Sequence, residues 1–98
     1  MKKFFKIVVF VPGSHAGKIR DAMAKSGCGK LGNYDSCSFS TKGVGRFRAL
    51  KGARPYRGKV GEVEEVDEER IETLCSSAAL KKAINSIKRA HPYEEPAI

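Results

Sequence analysis

The sequence predicts an α+β domain, an antiparallel sheet with two helices on one of its faces. Three observations predict it. Phe5 to Val11 is a nearly continuous β-branched and aromatic run, the pattern of a strand. Leu80, Ala83, Ile84 and Ile87 recur at the spacing of one helix face. Between them lie extended segments with alternating residues, punctuated by glycine and proline rather than by helix signals. With 98 residues the chain has material for one core, so a single domain over 1–98 is expected.

Taken in order, the first strand reads as buried on both faces, near the middle of the sheet. Pro12-Gly13 ends it. Ser14 is placed to cap a helix over His15 to Ser26, with Ile19, Ala22 and Met23 inward and Gly27 at the stop. Gly27 to Asn33 is a loop. Cys37, Phe39 and Thr41 then alternate with serines, Lys42-Gly43 reads as a turn, and Val44 to Leu50 reads as the partner strand of a hairpin. Lys51 to Gly61 is an irregular connection whose glycines serve turns. Val63 to Cys75 is extended again. Ser76 or Ser77 caps the second helix, Lys88 and Arg89 suit its last turn, and Pro92 stops it. Tyr93 to Ile98 is short and extended. The sum is a ferredoxin-like β-α-β-β-β-α-β plan.

The net charge is +8, yet it is unevenly spread. From Ser36 to Gly61 there are seven bases and no acid; from Glu62 to Glu72 there are seven acids and one base, Arg70. Adjacent blocks of opposite sign neutralise each other within the chain or across a subunit contact. The remaining excess lies in Lys2, Lys3, Lys6 and the helices. This argues against nucleic acid as the partner, although Arg46, Phe47, Arg48 and Tyr56 interleave bases with aromatics as single-strand binders do. No apolar run reaches the ~20 residues of a membrane span. Phe4 to Val11 is too short for a secretory signal and no small-residue cleavage site follows it, so a cytoplasmic location is expected.

Chemistry-bearing residues are few. The cysteines number three and form no C-x-x-C pair, which speaks against a disulfide framework and a cysteine zinc site. Cys37 reads as a buried structural thiol. The glycines Gly27, Gly29 and Gly32 match a G-x-G-x-x-G spacing, but they follow a helix and precede a strand, the reverse of a dinucleotide fingerprint. His15 reads as a surface residue at a helix start. His91 stands in His91-Pro92-Tyr93-Glu94-Glu95-Pro96, where two prolines stiffen the backbone. That corner suits a ligand wall or a subunit contact, and equally a plain helix exit.

The motifs Val9-Phe10-Val11-Pro12, Gly32 through Phe39, Gly45-x-Phe47-Arg48, Gly58-x-x-Gly61, Glu68-x-Arg70-Ile71-Glu72 and His91 through Ala97 occur in order. Together they resemble the YqfO-type domain inserted in bacterial proteins of the NGG-interacting-factor-three-like family, often labelled type-two GTP cyclohydrolase. The closing motif also resembles the end of the CutA proteins. The resemblance implies a fold akin to CutA and PII-type signalling proteins, which assemble as trimers. The family's two-metal site is built by a flanking domain that this sequence lacks, so no catalytic residue, metal or cofactor is carried over. Ala49 follows Arg48 where the family usually has Pro, and the last strand is short, to be completed by a neighbouring subunit or left as an open edge.

The expectation is a stand-alone, non-catalytic domain that self-associates, a trimer being favoured, and binds a small molecule or protein partner at subunit clefts. Asn33, Tyr34, Arg48, Glu72, His91, Tyr93 and Glu94 are the candidate ligand-binding or interface residues. Two other readings stay open: a metal-assisted hydrolase using His91 with Glu72 or Glu94 across subunits, and single-stranded nucleic-acid binding through the basic hairpin.

Overall fold

Alternation along the first strand decides how the sheet is laid down. Ile7, Val9 and Val11 point to one side and are buried, while Phe4, Lys6 and Phe10 point to the other and are exposed. A computed structural model of the chain describes residues 3–98. Lys2, counted above in the basic N-terminus, lies outside them. The elements are β1 (Phe4–Pro12), α1 (Gly13–Lys25), β2 (Phe39–Arg48), β3 (Val63–Ser76) and α2 (Leu80–Ala90). The sheet order is β1-β3-β2, antiparallel throughout. The α+β, ferredoxin-like class therefore holds.

The central strand is β3, not β1. Its 14 residues pair with β1 from Glu68 to Ser76 and with β2 from Val63 to Glu72. Among the described residues the outer edge of β1 receives one backbone bond, Phe10 N–H to Ala97 O at 3.2 Å, and Tyr93 to Ile98 forms no strand. The expected turn at Lys42-Gly43 is absent. Gly43 sits in mid-strand opposite Glu68, and the two expected strands are one continuous β2. The hairpin is instead β2–β3, closed by residues 49–62.

Both helices lie on one face. Ala16, Ile19 and Met23 of α1 and Ala83 and Ile87 of α2 meet Ile7, Val9, Val11, Ile71 and Cys75 in one core. Leu80 and Ile84 pack at its margin, as the helix spacing predicts. Each fully buried Ile or Val here is worth about 1.5–3 kcal/mol of transfer energy. Neither helix has a side-chain N-cap: Pro12 and Ala79 hold those positions, and Ser14 instead bonds to Nδ1 of His15 at 2.9 Å. The end of α1 is as expected. Gly27, at φ +95°, donates to Ala24 O, and Cys28 donates to Met23 O, a Schellman closure that needs a residue free to turn left-handed.

Gly29 continues that turn and ties the loop to the sheet through its N–H on Leu74 O at 2.8 Å. Its φ is +79°, and an added Cβ would lie 2.5 Å from Cys37 O, so no side chain fits. Cys28 and Cys75 are buried beside this junction. Burial and the facing Cys75 thiol push Cys28 up to about 12, so it is a protonated, unreactive packing group at neutral pH. Cys37 is only half-buried, because the strand begins two residues after it.

Candidate functional site

Among the described residues, no element covers most of the length of the sheet face opposite the helices. Strand register places Lys6, Phe10, Phe39, Arg70, Glu72 and Leu74 there. Phe39 is 66% exposed, Phe10 41% and Leu74 40%, high values for large apolar side chains on a strand. Between them runs an ion-pair chain. Lys6 Nζ is 2.9 Å from one oxygen of Glu72 and Arg70 Nε is 3.2 Å from the other. The bond from Lys6 holds the Glu72 carboxyl below the ordinary carboxylate range; burial opposes it and Arg70 adds to it.

At one end this face deepens into a cleft of about 580 Å³. Its floor is Gly45 and Phe47 of β2 with Glu68 of β3, and Phe10 stands at one side. The connection from Leu50 to Tyr56 and the tail from Tyr93 to Ala97 form its walls. The two walls are joined where Arg54 N–H donates to Glu94 Oε2 at 3.0 Å. Tyr93 is the hub. Its hydroxyl donates to Glu68 Oε2 at 2.6 Å, and its ring lies 5.8 Å from Phe47 and 6.1 Å from Tyr56 in edge and tilted contacts. Burial first, then the bond to Glu68, pushes the phenol up, so it remains a donor. The absence of a side chain at Gly45 matters: a Cβ there would collide with the Glu68 carboxyl group.

His91 anchors the tail from behind. Tyr93 N–H donates to Nδ1 at 3.2 Å, which fixes the ring proton on Nε2, and Nε2–H donates to Phe10 O at 2.7 Å. Burial lowers the imidazole below its ordinary value, with the Phe10 carbonyl pulling the other way. Both ring nitrogens are thus spent on the backbone, and neither is free for a substrate proton. Among the described residues no three His, Cys, Asp or Glu side chains are gathered as metal ligands.

Of the seven residues singled out from the sequence, the cleft gathers Arg48, Tyr93 and Glu94, with His91 holding the tail. Alternation turns the Arg48 side chain to the opposite face from Phe47, so it is the Arg48 backbone that the register places at the cleft. Glu72 lies in the middle of the open face. Asn33 and Tyr34 belong to the loop before β2, at the other end of that strand from Arg48, where Leu31 and Tyr34 form an isolated bridge. Sequence reasoning missed Phe10, Gly45, Phe47, Tyr56 and Glu68 as cleft residues. A glycine interrupting a strand beside an aromatic was the signal available for Gly45 and Phe47. The expected neutralisation of the basic block is met only in part: Arg46 Nε is 3.6 Å from Glu65, while Glu69, opposite Lys42 in register, pairs with Arg20 instead.

No protein-family model matches the chain. Individual proteins do. A GTP cyclohydrolase 1 type 2 homolog of Halalkalibacterium halodurans is 41% identical over 96 residues, 98% of this chain and 26% of that protein. Its namesakes in Bacillus subtilis and Mycobacterium tuberculosis are 42% and 41% identical over 92 residues, 94% of this chain. The chain thus spans about a quarter of the length of these relatives. Among solved structures, a Bacillus cereus protein related to NIF3 superposes with a TM-score of 0.85 at 41% identity, covering 98% of this chain and 24% of that one. A Staphylococcus aureus protein superposes with a TM-score of 0.62 at 23% identity and shares the fold. The order of the motifs, the sheet that carries them and 41–42% identity over nearly the whole chain make this a NIF3-like domain of the YqfO type.

Proposed function

We propose that the domain is a non-catalytic unit that self-associates through its open sheet face and binds a small ligand or partner at the clefts this creates. The observation that carries the reading is the composition of that face. Phe10, Phe39 and Leu74 are exposed around the Glu72 carboxylate, which Lys6 and Arg70 share. Such a surface gains by meeting a copy of itself, since apolar area is removed from water. The cleft opens onto the same face through Phe10, so assembly and ligand binding share a boundary. A trimer and a regulatory role belong to this proposal, as does a cytoplasmic location. No helix among the described residues is long and apolar enough to cross a membrane.

The relatives' cyclohydrolase name describes proteins about four times as long. His91, which holds the tail behind the cleft, has both ring nitrogens engaged with the backbone, which supports a binding rather than an acid-base role for it. Sedimentation velocity at low micromolar concentration tests the assembly. A species heavier than 10.7 kDa that persists across salt concentrations is the expected result; a monomer at every salt concentration overturns it.

A further inference from the structure

Glu68 is a half-buried carboxylate that lacks a cationic partner. Among the described residues no Lys, Arg or His side-chain nitrogen lies within ion-pair distance of it. Tyr93 occupies Oε2 and leaves Oε1 over the open backbone of Gly45. Of the other acids of β3, Glu65 pairs with Arg46, Glu69 with Arg20, and Glu72 with Lys6 and Arg70; Glu64 and Asp67 make no ion pair among the described residues, but neither lines the cleft. Leaving one carboxylate unpaired in a largely apolar cleft costs free energy unless something else meets it.

The surroundings state what would meet it. Tyr93 bonds the carboxylate and its ring packs against Phe47, and Phe10 and Tyr56 extend the aromatic lining. Rings around a carboxylate attract a cation through both the ring quadrupoles and the charge. Glu94 and Glu95 line the mouth on the tail side. The two bases of β2 that border the cleft, Arg46 and Arg48, have their side chains on the other face by register, and Arg46 is paired with Glu65. Arg57 lies close enough to influence Tyr93 yet makes no ion pair with Glu68. The volume of about 580 Å³ exceeds what an ammonium group alone fills, and Leu50 and Pro55 offer apolar wall for a larger body.

We propose that this cleft binds an organic amine cation, its ammonium group against Oε1 of Glu68 beside the Phe47–Tyr93 pair, its apolar body along Leu50, Pro55 and Phe10. The assignment rests on the ligand-binding reading above and names the class of ligand. Tyr93 acts as the positioning residue, since its hydroxyl fixes the carboxylate rotamer before the ligand arrives.

Isothermal titration of the purified chain with 2-phenylethylamine, 2-phenylethanol and phenylacetate tests it, because the three probes share a body and differ in charge. The amine is expected to bind about tenfold or more tightly than the alcohol, and phenylacetate more weakly still. Glu68→Gln, nearly isosteric, removes the preference for the amine, while Glu62→Gln, outside the cleft, leaves it intact. Equal binding of amine and alcohol, tighter binding of phenylacetate, or a preference that survives Glu68→Gln overturns the cation assignment and leaves a small-ligand cleft standing. No binding of any probe up to about 10 mM, a range weaker than useful ligand recognition, overturns both.

Discussion

The two faces of the sheet are cut from the same three strands and have opposite fates. On the helix side Ile7, Val9, Val11, Ile71 and Cys75 are sealed under α1 and α2. On the other side Phe10, Phe39 and Leu74 share the surface with Lys6, Arg70 and Glu72. The period of two in a strand makes this division, sending neighbours in sequence to opposite sides. Stability is therefore concentrated on one face, and the other is left available for contacts that are not part of folding. The open face is far from featureless: at one end the β2–β3 connection and the tail fold over it and enclose the cleft around Glu68 and Tyr93.

The contrast can be broken most forcefully by truncating one residue from each side. Ile71→Ala empties a fully buried site and is expected to cost about 2–5 kcal/mol in urea unfolding. Leu74→Ala, three residues along the same strand but on the open face, should cost less than about 1 kcal/mol at concentrations where the chain is monomeric. Comparable losses would show that the two faces contribute alike.

The anchor of the tail comes next. His91→Ala removes two backbone hydrogen bonds and should cost about 1–3 kcal/mol near neutral pH. The pH dependence has a definite sign. Burial lowers the folded-state value of His91 below its unfolded value, so the unfolded chain binds the proton more readily. Stability from this group is complete above the ordinary imidazole value of 6.5 and is lost as the pH falls through the lower, folded-state value. Protonating Nδ1 also expels the Tyr93 N–H. Unfolding curves from pH 8 down to 5 should fall at the acid end for the parent chain, and fall less for His91→Ala.

A smaller effect is expected at the cleft floor. Gly45→Ala pushes the Glu68 carboxyl group aside and separates it from the Tyr93 hydroxyl, for about 1 kcal/mol, because the end of a Glu side chain moves easily. The readout is the ultraviolet titration of the tyrosines: the high-titrating phenol should move down toward the others. The least effect belongs to the exposed ion pair. Lys6→Ala should leave the unfolding midpoint unchanged at moderate salt, while the Glu72 carboxyl, followed by NMR, moves up toward the ordinary range.

Much of this architecture was legible in the sequence, for stated reasons. The face Leu80, Ala83, Ile84, Ile87 and the stop at Gly27 follow from helix geometry alone, and both are found. The Lys42-Gly43 step misled, because a glycine in a strand marks close approach as well as turning; here Gly43 and Gly45 lie under the Glu68 side of the sheet. The reading of β1 as central failed because a continuous apolar run looks the same whether both faces are covered or one face awaits cover. Ser14 suits a cap by its type, yet the chain enters α1 directly from Pro12. At the site, Tyr93 and Glu94 were legible through the rigid proline-flanked corner. Their partners were not, since Tyr93 meets Glu68 across 25 positions of chain and Arg54 meets Glu94 across 40. Pairings at that distance depend on where the tail and the β2–β3 connection fold back over the sheet, which one sequence does not spell out.

Light scattering on the parent chain beside the double variant Phe39→Ser/Leu74→Ser tests most directly whether the open face is where copies meet. A parent mass near three times 10.7 kDa, falling to about one unit in the variant while the helical circular dichroism is kept, is the expected pair of results. A variant that assembles as well as its parent, or a parent that weighs one unit at every concentration, would contradict it.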